Sequence, residues 1–313
     1  MESVVVYNVP HFYSGFHTVP FNWMVAVYLF LGGLGAGAFI AGVVAVYINR
    51  EKYNTISRVG AYVAPLPVIL GTALLIFDLD RPYRALSLFW NVHGVSAMSW
   101  GAWILMLFSV VAVIYALIHL AEAGSLSAAE PLAGLKKPIE IVGLVLAFAT
   151  VVYTGVLLSL AYGSRGMFSQ MIPVLFTVSA ISTGVAAVML FMSMSSARDN
   201  HGINRLGWAD SILIAIEISL VGIWLLAMIN GSPANRESIQ LLTSGPFSMM
   251  FWIGFVLVGL IVPLVMELAH IKASKGSSGH GTGTALLASV MVLVGGMVLR
   301  YVVLIAGQTP PLT

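Results

Sequence analysis

Cysteine is absent from all 313 residues. That excludes disulfides, an iron–sulfur cluster held by this chain, and a c-type haem attached through its usual pair of cysteines. If the chain takes part in electron transfer, the metal centres belong to other subunits. Charge is nearly as scarce, at 8% of residues against 59% hydrophobic, and the mean hydropathy is +0.97. This composition excludes a soluble globular domain and specifies a polytopic membrane protein. A formal net charge of +2 gives no reason to expect a nucleic-acid partner. The apolar residues run continuously instead of alternating. That excludes a transmembrane β-barrel and points to an all-α fold, because each backbone polar group in lipid must be satisfied within its own segment.

Eight runs are long enough to cross a hydrocarbon layer of about 30 Å. They are Phe21–Ile48, Val59–Phe77, Ser99–Ala121, Ile139–Ala161, Met171–Met194, Ser211–Asn230, Phe247–Ala269 and Ala285–Ala306. The segment before the first run lacks a basic region and the run lacks a small-residue cleavage pattern, so it is expected to be a retained helix. An even number of spans puts both termini on one side. The first, third, fifth and seventh loops hold nine lysines and arginines (Arg50, Lys52, Arg58, Lys136, Lys137, Arg198, Arg205, Lys272, Lys275). The other loops hold four (Arg81, Arg84, Arg165, Arg236). The excess makes the odd loops cytoplasmic and both termini extracytoplasmic, in an inner membrane.

Polar residues in such a chain are few enough to weigh singly. Asp78-Leu79-Asp80-Arg81-Pro82-Tyr83-Arg84 ends the second run at the outer boundary. Two arginines suffice for interfacial anchoring, but the acids beside them fit ion pairs, a proton route or a docked partner better. The first run carries Gly32-Gly33-Leu34-Gly35-Ala36-Gly37-Ala38, a smooth face for another helix or a flat ligand. Near its outer end His17, Asn22, Trp23 and Tyr28 offer hydrogen bonds, although Trp23 also suits an aromatic belt. Tyr153 and Tyr301 lie deeper than a belt requires, so each hydroxyl needs a partner, either a facing helix or a ligand with carbonyls such as a quinone. Arg300 is expected to pair with an acid such as Asp78 or Asp80, or to snorkel outward. Gln308 caps the last helix or binds a ligand. Toward the other side lie His119, Glu122, Glu140, Asp210, Glu217, Glu267 and His270. Glu217 is the deepest, and with Glu140 and His119 it is a candidate for a proton path, the alternative being a neutral, hydrogen-bonded structural acid. His119 and His270 sit too near the ends of their runs to suit axial haem ligands, and no metal site is expected.

A weak internal repeat runs at about 147 residues: Leu29-Phe30 with Gly37 echoes Leu175-Phe176 with Gly184, and the stretch from Tyr153 echoes that from Tyr301. Four helices per unit preserve orientation, so the repeat is parallel. The Gly/Ser-rich stretch 275–283 precedes no strand and helix that would make a phosphate cradle of it.

Leu31-Gly-Gly-Leu-Gly-Ala-Gly37, Phe77-Asp-Leu-Asp-Arg-Pro82 with Arg84, Ser96-Ala-Met-Ser-Trp-Gly-Ala-Trp-Ile104, Tyr153-Thr-Gly-Val-Leu-Leu-Ser159 and Leu299-Arg-Tyr-Val-Val-Leu-Ile-Ala-Gly-Gln308 occur in that order. Together they resemble the NrfD-like membrane subunits typified by polysulfide reductase. The resemblance implies two four-helix bundles, residues 1–161 with the quinone site and 162–313. It also implies that the chain is the quinone-reactive subunit of an oxidoreductase complex. It would bind menaquinone or ubiquinone near the outer face and dock on a four-cluster iron–sulfur subunit that is itself attached to a molybdopterin catalytic subunit. The family's quinone-contacting positions correspond to Asn22, Tyr28 and Tyr153. Where the polysulfide reductase pattern has a histidine in the first helix this chain has Tyr28, which leaves His17, Asp78 or Asp80 to take the proton. Arg81, Arg84, Arg300 and Gln308 would form the docking surface or charge network. Two other classes remain open, a structural anchor without redox chemistry and a secondary transporter. The transporter requires a helix broken at the midplane, for which the glycine run is the candidate.

Overall fold

The computed structural model describes residues 22–78, 97–124, 134–159, 171–195, 199–274 and 282–308. In chain order the helices are α1 (Trp23–Ile48), α2 (Asn54–Val63), α3 (Pro65–Asp78), α4 (Ala97–Glu122), α5 (Lys136–Ser159), α6 (Met171–Met194), α7 (Asn200–Ile229) and α8 (Pro233–Thr243), then a π-helix at Met250–Ile261, α9 (Val262–Ser274) and α10 (Thr282–Gln308). No strand occurs among the described residues. Eight helices or joined pairs are long and apolar enough to cross a membrane, so the chain is an all-α polytopic membrane protein.

Local chemistry sets the ends. Asn22 caps α1, its Oδ1 accepting from Trp23 N at 2.8 Å. Asp199 caps α7 by accepting from Gly202 N at 3.0 Å, which lets that helix start eleven residues before the apolar run that marks it in the sequence. Pro65 removes one backbone N–H and divides α2 from α3, yet Ala64 between them keeps helical angles (φ −61°, ψ −46°), so the pair forms one span, Asn54–Phe77. The amphipathic helix α8 lies where the sequence offered only a loop; Ser232 caps it and Pro233 opens it. The glycine run stays helical throughout α1, so the broken helix that a transporter would need is not found there.

α1 packs against α2, α3, α5, α6 and α10, and its glycines and alanines are almost all buried. Small residues serve this role in lipid, where apolar area alone does not drive helices together and close backbone approach supplies van der Waals contact. The tightest crossing is with α6. A Cβ on Gly37 would collide with the Ala180 carbonyl, and one on Gly184 would collide with the Gly37 backbone. These two glycines are 147 residues apart, the spacing of the repeat, so the first helices of the two repeats meet at matching positions. Gly259 of the π-helix and Gly295 of α10 make a second backbone contact of this kind.

Gly37→Ala and Gly184→Ala are each expected to lower the stability of the detergent-solubilised protein by at least the ~1–3 kcal/mol typical of overpacking, since the clash is with backbone. Gly222, whose Cβ would meet nothing within 4 Å, is the control: Gly222→Ala should leave the thermal midpoint unchanged or slightly raised. Equal midpoints for all three variants would show that the crossing is looser than described.

Candidate functional site

Call the two ends of the helix array the Trp23 end and the Arg50 end. About 8 Å in from the Trp23 end, α1 presents Tyr28, and about 9 Å in from Ser159, α5 presents Tyr153. Both are buried, at 4% and 6% exposure, in one apolar cluster with Leu29, Leu75, Leu105 and Leu157. The Tyr153 hydroxyl has no hydrogen-bond partner among the described residues. Its ring occupies the space that Gly101 of α4 leaves, because a Cβ at position 101 would fall on the phenol. An orphaned donor costs on the order of 1–3 kcal/mol, so this hydroxyl is poised for an acceptor. Asn22 is exposed at the rim; its carbonyl is used in the cap, leaving the amide N–H groups free to donate. His17, Asp80, Arg81 and Arg84 lie outside the described residues. So do the side chains of Asp78 and Gln308, whose backbones end α3 and α10.

The side chains of Asp78 and Asp80, with which Arg300 is expected to pair, lie outside the described residues, and Arg300 does not snorkel. It is fully buried between α1 and α6, with its guanidinium 5.6 Å from the Phe30 ring centroid and 5.4 Å from that of Phe176. Nη1 donates to the Gly296 carbonyl at 2.8 Å and more weakly to Ser179 Oγ at 3.4 Å, while Nε and Nη2 have no acceptor there. Glu217, buried on α7, shares Ser179 as a side-chain partner with Arg300 and is the acid that interacts electrostatically with it. Two aromatic faces and one acid make the buried cation tolerable.

Farther toward the Arg50 end, Asp210 of α7 and Glu267 of α9 face one another with no cation in ion-pair contact among the described residues. Ser182 of α6 donates to Asp210 Oδ1 at 2.6 Å. Ser211 Oγ lies 2.9 Å from Glu267 Oε2 and 2.8 Å from the Gly207 carbonyl.

A separate cluster closes the Arg50 end of α1, α2, α4 and α5. Glu140 is buried and takes a salt bridge of 3.0 Å from the half-exposed Arg50. His119 is buried against the edge of Tyr115, with Nε2 3.4 Å from Ser57 Oγ, and Ser57 in turn bonds the Tyr115 hydroxyl at 2.8 Å. His119 Nδ1 lies 3.4 Å from Glu122, an ion-pair distance without hydrogen-bond geometry, while Glu122 is held by Lys136 at 2.6 Å. Glu140 and His119 therefore belong to one polar cluster and Glu217 to another; the structure does not join them as a single path. Sequence reasoning named these acids but missed Gly101, Ser57, Ser179 and Ser182, which mean nothing until distant helices are brought together.

The family profile described as "Polysulphide reductase, NrfD" matches residues 13–311. The chain is 34% identical to the C chain of the polysulfide reductase of Wolinella succinogenes, over 94% of this chain and 96% of that one. It is 24% identical to the Hdr-like menaquinol oxidoreductase integral membrane subunit of Archaeoglobus fulgidus, over 80% of this chain and 62% of that one. It is 22% identical to the C subunit of the selenate reductase of Mesobacillus selenatarsenatis, over 92% of this chain and 74% of that one. The glycine-packed first helix, the ordered motifs and the eight spans are thus those of a member, and the chain belongs to the NrfD family of polysulfide reductase membrane subunits.

Proposed function

We propose that this chain binds quinone or quinol at the Trp23 end and exchanges electrons with an iron–sulfur partner of a molybdopterin oxidoreductase. The observation that carries this reading is the buried Tyr153 hydroxyl, which has no hydrogen-bond partner among the described residues, packs against Gly101 and shares a cluster with Tyr28. The names of the relatives support it, since they are subunits of a polysulfide reductase, a menaquinol oxidoreductase and a selenate reductase. A bound quinone head group supplies two carbonyl acceptors and a two-electron, two-proton couple. Tyr153 of α5 would donate to one carbonyl, with Tyr28 of α1 in the same cluster and the Asn22 amide at the rim as further residues to hold the head group. His17, Asp78 or Asp80 accepts the protons released, because a tyrosine is a poor proton acceptor at neutral pH.

On this reading the Arg50 end is cytoplasmic and the Trp23 end, with both termini, faces outward, where the iron–sulfur subunit docks around residues 78–84. The two repeats are two four-helix halves, the first holding the ligand and the second bracing α1 through α6.

Tyr153→Phe should weaken binding of a quinol analogue to the membrane complex about three- to tenfold, the worth of one neutral hydrogen bond, without loss of the partner subunits. Unchanged affinity would remove Tyr153 from the site and favour a structural anchor. Gly101→Ala tests the same site from the opposite helix: the added methyl displaces the phenol, so quinol-dependent reduction of the partner's clusters should slow while the tyrosine itself remains. Reduction at the wild-type rate would mean that the phenol position is immaterial.

A further inference from the structure

We propose that Asp210 and Glu267, with Ser182 and Ser211, form an intramembrane site that holds at least one exchangeable proton. The site lies in α6, α7 and α9 and does not depend on the quinone reading. Asp210 is fully buried and Glu267 is 3% exposed. Each carboxyl has one oxygen, Asp210 Oδ2 and Glu267 Oε1, for which the described residues provide no hydrogen-bond partner as the groups stand ionised. The carboxyls nevertheless contact one another side chain to side chain.

Counting hydrogens identifies the ligand. Four close polar contacts meet here: Ser182 to Asp210, Ser211 to the Gly207 carbonyl, Ser211 to Glu267, and Asp210 to Glu267. The two serines bring only two hydroxyl hydrogens. Ser211 in particular lies between two acceptors, the Gly207 carbonyl at 2.8 Å and Glu267 Oε2 at 2.9 Å, and can donate fully to only one. A proton on either carboxyl fills one of the remaining contacts and removes one of two like charges from a medium that cannot solvate them. A metal cation fits less well, since hard cations need several free oxygens and two of the four carboxylate oxygens already face hydroxyls.

The elements packed against the pair carry few other titratable groups. Helix α6 and the π-helix carry none. On α7 itself lie Glu217, two turns deeper, and His201 and Arg205 near its start. On α9 lie His270, one turn beyond Glu267, and Lys272. Arg300 and Tyr301 of α10 and Arg236 and Glu237 of α8 complete the set among the described residues. His270 is half-buried with Nδ1 3.5 Å from Thr284 Oγ1, so it stands between the pair and the Arg50 end.

The test is infrared spectroscopy of the full chain in lipid nanodiscs at pH 8, where an ordinary carboxyl is ionised. The wild-type spectrum should contain at least one carboxylic-acid carbonyl band that Asp210→Asn/Glu267→Gln together abolish, while either single variant keeps it at a shifted frequency. In deuterium oxide that band should move down. The proposal is overturned if the wild type and the double variant do not differ in that region, if the band does not respond to deuterium oxide, or if it appears only when sodium is replaced by a large organic cation. The isotope and sodium comparisons need no variant, so misfolding of the double variant would not protect the proposal.

Discussion

The crossing of α1 and α6 at Gly37 and Gly184 is the contact on which the rest of the molecule depends. In hydrocarbon, apolar side chains gain little by leaving lipid for a neighbouring helix. Association must come from atoms brought close, and two glycines allow backbones closer than any side chain would. Everything buried at the centre is positioned by that contact. Phe30 and Gly33 of α1 and Phe176, Ser179 and Ala180 of α6 form the walls around the Arg300 guanidinium. Were α1 and α6 separated by the thickness of a methyl on each side, Arg300 would lose its rings and gain no water.

The Arg300 arrangement also shows why a buried charge is tolerated in this place. Its charge is met by the Gly296 carbonyl dipole, two ring faces and the acid of Glu217. Among the described residues no single contact is a full salt bridge; several partial ones share the desolvation cost. Glu140 follows another rule. It too is fully buried, but its partner Arg50 is half-exposed, so the ion pair reaches water on one side only and belongs to the boundary instead of the core.

Much of the architecture was legible in the sequence because membrane helices are written in continuous runs. Eight spans followed from length and hydropathy, and the 147-residue echo of Gly37 in Gly184 turned out to mark a physical contact. Errors fell where polarity and helicity part company. α7 begins at Asn200, well before its apolar run, because a capped helix can extend past the membrane boundary, and α8 is too polar to show as a span. The depth of Tyr153 could be read from the sequence, but its packing against Gly101 could not. Nor could the meeting of Asp210 with Glu267, since residues 57 positions apart carry no local signal of contact. Arg300 misled for a related reason: its distance from the helix end fits snorkelling, and only the aromatic residues of two other helices keep it inside.

The same 147-residue echo brings two buried polar residues into comparison, Tyr153 and Arg300. The repeat sets the stretch from Tyr153 against that from Tyr301, so Arg300 stands one position before the residue that answers to Tyr153. Both are polar, buried and carried on the last helix of their repeat, and both retain hydrogen-bonding atoms without partners among the described residues. The phenol fills the space beside Gly101, and the guanidinium lies against the Phe30 and Phe176 rings between α1 and α6. A cation clamped between rings and sharing a serine with an acid suits an internal charge system, with Glu217 as its other pole. The last helices of the two repeats thus carry a neutral donor in one case and a buried charge in the other, while the glycine crossing joins the two first helices.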